Sequence, residues 1–112
     1  MKLNGRLTLG ENTADNGGLR LAWIALMNDL AGKTEPKLGG FDTAQQFFLG
    51  WGQIWCENQT PEVERLQAQT NPHAIAEFRV NGTVSNMPEF QKAFGCKEGM
   101  PMVRGGNACR VW

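Results

Sequence analysis

The chain has 112 residues, in which 11 lysines and arginines are balanced by 11 aspartates and glutamates. This length allows one domain, or part of one, with a modest core, and the neutral balance excludes a strong attraction to nucleic acid or an anionic membrane. Hydrophobic residues make up 41% of the chain, which argues against disorder, and no apolar run reaches the about 18 residues of a membrane-spanning helix.

Two helices are predicted in the first half of the chain. Apolar residues at helical spacing predict a helix from Leu19 to Leu30, ended by Gly32. Because this helix is apolar over a wide arc, we expect it to be buried on most sides. A second helix begins at Asp42, which forms a capping box with Gln45, and it runs through "TAQQFFLGWGQIWCE". The two glycines of this segment suggest close packing against a neighbour.

Further helices are predicted in the second half. Thr60 and Pro61 are typical of the N-cap and first position of a third helix. Asn86, with Glu89 three residues later, predicts the start of a short fourth helix that Gly95 ends. Between them "AEFRVNGTVSN" alternates weakly around an Asn-Gly pair, which is a hairpin signal, although two strands without a sheet are marginal. The prediction is a mainly α-helical chain with a loop-rich tail.

Three places in the sequence have side chains that could carry chemistry. Glu11 and Asp15 lie four residues apart, so in a helix they would share one face, where two carboxylates repel unless a positive group lies nearby. His73 is the single histidine, and Arg79 follows six residues later. From the local pattern alone, each has an ordinary interpretation: a solvated acidic turn, a structural histidine and a surface arginine.

Four segments, taken together and in order, carry a resemblance to a known family. They are "LNGRLTLGENTADNGGLRLAW", "FFLGWGQIWC", "NPHAIAEFRVNGTVSNMPEFQKAFGC" and the terminal "CRVW". From Leu3 to Trp112 the chain resembles the C-terminal part of the neprilysin and endothelin-converting-enzyme family of zinc metallopeptidases. The resemblance implies that residues 1–112 are the C-terminal portion of a thermolysin-like peptidase catalytic domain, which hydrolyses peptide bonds with a zinc-activated water.

The resemblance also implies a role for each candidate residue. Glu11 corresponds to the third zinc ligand, which follows two histidines of an HExxH helix, and Asp15 to the acid that orients a ligand histidine. His73 corresponds to the histidine that stabilises the tetrahedral intermediate. Arg79 corresponds to the arginine that binds the substrate's backbone carbonyl beyond the scissile bond. Zinc is then the positive group beside the two acids.

One departure from the family pattern lies next to the histidine. The family usually has an aspartate two residues before it, where this chain has Asn71, and Ser-Pro after it, where this chain has Ala74 and Ile75. An asparagine oxygen can accept a hydrogen bond but carries no charge. We therefore expect Asn71 to orient His73 without favouring its charged form.

The sequence contains no HExxH, and a single histidine cannot supply two zinc-binding imidazoles as well as the donor to the intermediate. We therefore expect the chain alone to be inactive and without zinc, whereas the intact enzyme would act on peptides. One alternative is a non-catalytic peptide- or protein-interaction domain derived from such a peptidase, and another is a small disulfide-stapled structural protein. An in-frame HExxH upstream would favour the peptidase.

Cys56, Cys96 and Cys109 match no zinc-binding spacing. Each could be a small buried hydrophobe or half of a disulfide. In the family the matching cysteines bond to partners elsewhere in the chain, which implies an exported protein, and without those partners they would be free thiols. We expect a homo-oligomer, because absence of the rest of the enzyme would expose apolar side chains, namely Trp23, Leu26, Phe48, Trp51 or Trp55.

Overall fold

The computed structural model describes residues 1–111, and in that range the chain forms five α-helices and no β-strand. Trp112, the last residue of the family resemblance, lies outside the described residues. The predicted mainly α-helical class is confirmed. The helices are α1 (Leu9–Leu30), α2 (Thr43–Ile54), α3 (Pro61–Thr70), α4 (Ala76–Val84) and α5 (Pro88–Phe94).

Helix α1 begins ten residues before the predicted start at Leu19. The polar side chains of its first turns bond back to the preceding turn: the hydroxyl of Thr13 donates to the carbonyl of Leu9 over 2.8 Å, and the Asn16 amide to that of Asn12 over 2.7 Å. These bonds satisfy side chains that would otherwise compete for the backbone. The first turns therefore place Glu11 and Asp15 on a helix.

Helices α2 and α3 begin as predicted. The Asp42 side chain accepts from the backbone N–H of Gln45, whose own side chain accepts in return, and Thr60 caps α3 with Pro61 at its first position. The expectation of close packing at the two glycines of α2 is wrong for this chain, because a Cβ atom added at Gly50 or Gly52 would meet nothing within 4 Å. The surface of α2 around these glycines is open.

The hairpin signal around Asn81 and Gly82, which the sequence already makes marginal, is not realised, since Ala76–Val84 is helix α4. Helical backbone lets α4 pack against α1 and α2, and it buries Thr83 and Val84, which are neighbours in sequence and would point to opposite faces of a strand. Tertiary packing thus outweighs the local signal of Asn81 and Gly82.

The end of the chain differs from prediction at one position. Met87, and not Asn86, is the N-cap residue of α5, whereas Gly95 ends that helix in the left-handed conformation, as predicted. The tail beyond it contains a single 3-10 turn at Gly105–Asn107 within the described residues.

A cluster of aliphatic and aromatic side chains joins the middle of α1 to α2, α4 and α5. Its buried members are Leu19, Phe48, Val84 and Met87. Trp23 stacks on Phe48 with ring centroids 5.3 Å apart, and Phe90 meets Phe48 edge-on at 5.4 Å. This cluster fixes the helices on one side of the molecule. In residues 1–111, none of the helices combines the length and apolarity needed to cross a membrane.

The apolar side chains on the surface are not those expected from the sequence. Phe48 is only 4% exposed, so its predicted exposure is wrong, and the other four expected residues are partly buried. Helix α3 buries only Ala68. The exposed apolar surface lies instead on other faces of α1 and on α3, where it includes Leu21, Ile24, Val63 and Leu66.

Candidate functional site

The candidate residues lie where α1 packs against α4. Glu11 and Asp15 are one turn apart in the first half of α1, where helical spacing puts them on adjacent positions of one face. His73 lies in the loop between α3 and α4, and Arg79 lies in α4. The structure brings all four together as two facing pairs, Glu11 with His73 and Asp15 with Arg79.

Arg79 and Asp15 form a buried, bidentate ion pair. The Nε and Nη2 atoms of Arg79 donate to Oδ2 and Oδ1 of Asp15, each over 2.7 Å. The two side chains are 11% and 9% exposed. Two parallel hydrogen bonds between planar groups fix the guanidinium in its own plane, and its Cζ atom lies 3.8 Å from the ring centroid of Trp55. Arg79 is therefore held at one edge by the carboxylate and on one face by the indole.

His73 is held in a different way, with its ring between an amide and a carboxylate. The Asn71 Oδ1 atom accepts the backbone N–H of His73 over 2.9 Å and lies 3.0 Å from the ring Nδ1. Since an atom that accepts a backbone N–H must be the amide oxygen, the Nδ1 atom carries the hydrogen of the second bond. The other ring nitrogen, Nε2, lies 3.2 Å from Oε2 of Glu11, and this contact is an ion pair only when the imidazole is protonated.

The two acids therefore have different surroundings, although they lie one turn apart. Asp15 is buried and neutralised by Arg79 within the chain itself. Glu11 is 42% exposed and faces a histidine that is 44% exposed. The repulsion expected between the two carboxylates is thus relieved on the Asp15 side by an arginine, where the sequence suggested only zinc. Glu11 is the acid whose oxygens remain accessible from outside.

The residues present fit one ligand of a zinc site but not a whole site. Glu11 offers an accessible carboxylate oxygen, which zinc accepts, whereas both Asp15 oxygens already accept from Arg79. Residues 1–111 contain no group of three histidine, cysteine, aspartate or glutamate side chains close enough to hold a metal ion. The only histidine of the sequence is already opposite Glu11. Imidazole ligands for a zinc ion at Glu11 would have to come from outside this range.

Sequence reasoning missed two residues of this region. The sequence indicates Trp55 only as an apolar side chain of the second helix that absence of the rest of the enzyme would expose, yet its ring stacks on the guanidinium of Arg79. Asn86 was assigned to a helix cap, yet its side chain bonds to α1, α4 and the tail. The contact of Trp55 with Arg79, and the bonds of Asn86 to α1 and the tail, have no local sequence signal, because they join segments far apart in the chain.

The three cysteines do not bond to one another. Cys56, Cys96 and Cys109 are free thiols, and Cys56 and Cys109 are exposed. Exposed thiols are open to disulfide formation with other groups.

Comparison with known proteins gives the same family from sequence and from structure. The sequence model of peptidase family M13 matches residues 1–111. The chain is 46% identical over 114 residues to endothelin-converting enzyme 1 of Mus musculus, with 98% of this chain covered. It is 42% identical over 117 residues to neprilysin-1 of Caenorhabditis elegans, with 100% covered. In both comparisons the match covers 15% of the relative.

A solved structure also matches the fold. The cryo-electron microscopy structure of a zinc metalloprotease of Mycobacterium tuberculosis in its open state aligns with a TM-score of 0.90 and 34% identity. The alignment covers 96% of this chain and 17% of that chain. The chain thus spans about a sixth of the length of the proteins it matches.

Proposed function

The chain belongs to peptidase family M13, and we propose that residues 1–112 are the C-terminal portion of the catalytic domain of a zinc metalloendopeptidase. The observation that carries the proposal is the meeting of two acids on α1 with a histidine and an arginine from the segment 73–79. Such a cluster of charged and polar groups at one helix seam is what peptide hydrolysis needs around a metal. The identity to two named peptidases supports the same function.

In this proposal Glu11 is the carboxylate ligand of the zinc ion, and Asp15 orients a histidine ligand from the remainder of the enzyme. Zinc would supply Lewis acidity and lower the pKa of a bound water. The exposure of the Glu11 carboxylate supports its role, since a ligand must reach an ion outside this chain. Each Asp15 oxygen that accepts from Arg79 keeps a further lone pair for an imidazole N–H.

His73 and Arg79 would act on the substrate. The Nε2 atom of His73 faces Glu11, and therefore the proposed metal. Because Nδ1 already carries the hydrogen that is donated to Asn71, Nε2 donates to an oxyanion there only when the ring is the imidazolium. Asn71 holds the ring from its other nitrogen. Arg79 uses its Nε and Nη2 atoms on Asp15, which leaves Nη1 to donate to a substrate carbonyl.

The proposal also covers the substrates of the intact enzyme, its disulfide bonds, and the activity and oligomeric state of the chain alone. The intact protein would act on peptides, and the exposed thiols at Cys56 and Cys109 would pair with cysteines elsewhere in an exported polypeptide. The chain alone would be inactive, because its single histidine cannot complete the zinc site. In isolation it would form a homo-oligomer through its exposed apolar side chains.

The test uses the intact polypeptide, with its zinc content measured after removal of loosely bound metal. Glu11→Ala should lose the zinc ion and the peptidase activity, because one of three protein ligands is gone. Glu35→Ala changes an exposed acid and serves as the matched control, with full zinc content expected. Retention of one zinc ion per chain by the Glu11 variant would overturn the proposal.

A further inference from the structure

The geometry of the candidate site depends on how α1 sits against α4, since the acids belong to α1 while Arg79 belongs to α4 and His73 directly precedes it. At this seam, which is the interface between α1 and α4, several of the buried side chains are polar. Thr8 and Asp15 at the α1 side, and Thr83 and Ser85 at the α4 side, are all at most 9% exposed. Polar contacts are directional, so single hydrogen bonds can set the register of such a seam.

Asn86 bonds to three segments of the chain that meet at this seam. Its Nδ2 atom donates to Oδ1 of Asn16 over 2.7 Å and to the carbonyl of Gly82 over 3.1 Å, and its Oδ1 atom accepts the backbone N–H of Cys109 over 2.9 Å. The orientation of the amide is unambiguous, because a carbonyl can only accept and a backbone N–H can only donate. One side chain therefore joins α1, α4 and the tail.

The bond to Asn16 bears directly on the candidate site. Asn16 follows Asp15 in the chain, and its own amide donates to the carbonyl of Asn12, one residue after Glu11. That donation fixes Asn16 with its oxygen directed to Asn86. The contact thus holds the acid-bearing turns of α1 at a set distance from the helix that carries Arg79.

We propose that Asn86 is a positioning residue, which holds Glu11 and Asp15 in register with His73 and Arg79. This inference rests on the proposed function, because the register matters for catalysis only if these four residues form the metal and substrate site. Asn86 touches neither the metal nor the substrate and acts through Asn16 and Gly82. The tail backbone at Cys109 serves as its third anchor.

Asn86→Asp is the sharpest variant. It has the same shape and keeps the acceptor for the Cys109 N–H, but it places a carboxylate oxygen opposite the oxygens of Asn16 and Gly82. In the intact enzyme we expect kcat to fall about tenfold and the zinc dissociation constant to rise by a similar factor, since loss of a partly buried hydrogen bond weakens an equilibrium by up to roughly that amount. KM should change less than twofold. Asn58→Asp, at an exposed position, is the matched control and should change neither.

A second pair of variants tests the route through α1. Asn16→Ala should reproduce most of the loss, and the double variant Asn16→Ala, Asn86→Asp should be no worse than Asn86→Asp alone, because both remove the same contact. Zinc affinity is measured by competition with a chromophoric chelator, and folding by circular dichroism. If Asn86→Asp does not fold, Asn86→Ala, which removes the bonds without repulsion, takes its place.

The outcomes separate this inference from the proposed function. A lower melting temperature with unchanged kcat and zinc affinity in the folded protein would overturn the inference and leave Asn86 a purely structural residue. Additive effects of the two substitutions would overturn the route through Asn16. If Glu11→Ala keeps its zinc ion, the proposed function fails; if it loses zinc while Asn86→Asp behaves as wild type, only the inference on Asn86 fails.

Discussion

Arg79 and Asp15, 64 residues apart in the chain, bind each other through two parallel hydrogen bonds where α1 packs against α4, and both side chains are nearly buried. The pair does two things at once. It neutralises the buried acid next to the proposed zinc ligand, and it leaves a single terminal nitrogen of the guanidinium, Nη1, without a bond to Asp15. The stack on Trp55 keeps that nitrogen in one orientation.

Removal of the arginine should destabilise the isolated chain strongly. Arg79→Ala leaves the buried carboxylate of Asp15 without a partner, and breaking a buried pair in this way costs about 3–5 kcal/mol. Urea unfolding of the chain measures the change. Arg65→Ala is the control, since Arg65 and Glu62 form an exposed pair with 63% and 75% side-chain exposure, and it should shift the free energy of unfolding by less than about 1 kcal/mol. Equal effects of the two substitutions would contradict the buried pair.

His73→Ala in the intact enzyme should lower kcat by roughly 10²–10³, the effect of losing one oxyanion donor, with little change in KM. The zinc content should stay at the wild-type level, because His73 is not a proposed ligand. Steady-state kinetics with a fluorogenic peptide, together with metal analysis, provide the check. An increase in KM at normal kcat would show instead that His73 binds the substrate in its ground state.

The amide of Asn71 should matter less than the ring that it holds. Asn71→Ala removes the acceptor of the Nδ1 hydrogen bond, so the ring loses its fixed orientation while its donor survives. We expect a fall in kcat of about tenfold, smaller than that of His73→Ala. Asn71→Asp, which keeps the acceptor, should retain more activity than the alanine variant. The reverse order of these two variants would argue against orientation by this bond.

Substitution of the two glycines of α2, Gly50 and Gly52, should affect stability differently in the isolated chain and in the intact enzyme. Gly50→Ala and Gly52→Ala should each stabilise the isolated chain by about 0.5–1 kcal/mol, because alanine is the better helix former and its methyl group meets open space. In the intact enzyme the same changes should destabilise if another segment packs on these glycines. Gly95→Ala is the contrasting variant, since its φ of 65° is strained for alanine.

Local sequence signals predict the local parts of this structure well. The capping box at Asp42, the Thr60 cap with Pro61 and the stop at Gly95 each depend on neighbouring residues, and each is present. The early start of α1 and the helical form of α4 were missed, because packing between these two helices outweighs the Gly-Gly and Asn-Gly signals in them. Local propensity says little about such contacts.

The candidate site likewise has a part that can be predicted from the sequence and a part that depends on contacts between distant segments. Resemblance to a family identifies the four residues, but a single sequence offers no means of pairing them. That Asp15 meets Arg79 and Glu11 meets His73 depends on the crossing of α1 and α4. Trp55 and Asn86 take part through contacts over 24 and 70 residues of chain, for which one sequence carries no pattern.

Helix α3 buries only Ala68 and turns Val63 and Leu66 outward, which has a consequence for motion. With so little apolar surface removed from water, its opening free energy should lie below that of α1, which buries Leu19 and packs against α4. Amide hydrogens of α3 should then exchange with solvent well before those of α1. Because Asn71, which bonds to the backbone and ring of His73, is also the C-cap residue of α3, an opening that reaches the end of this helix would release the histidine ring as well.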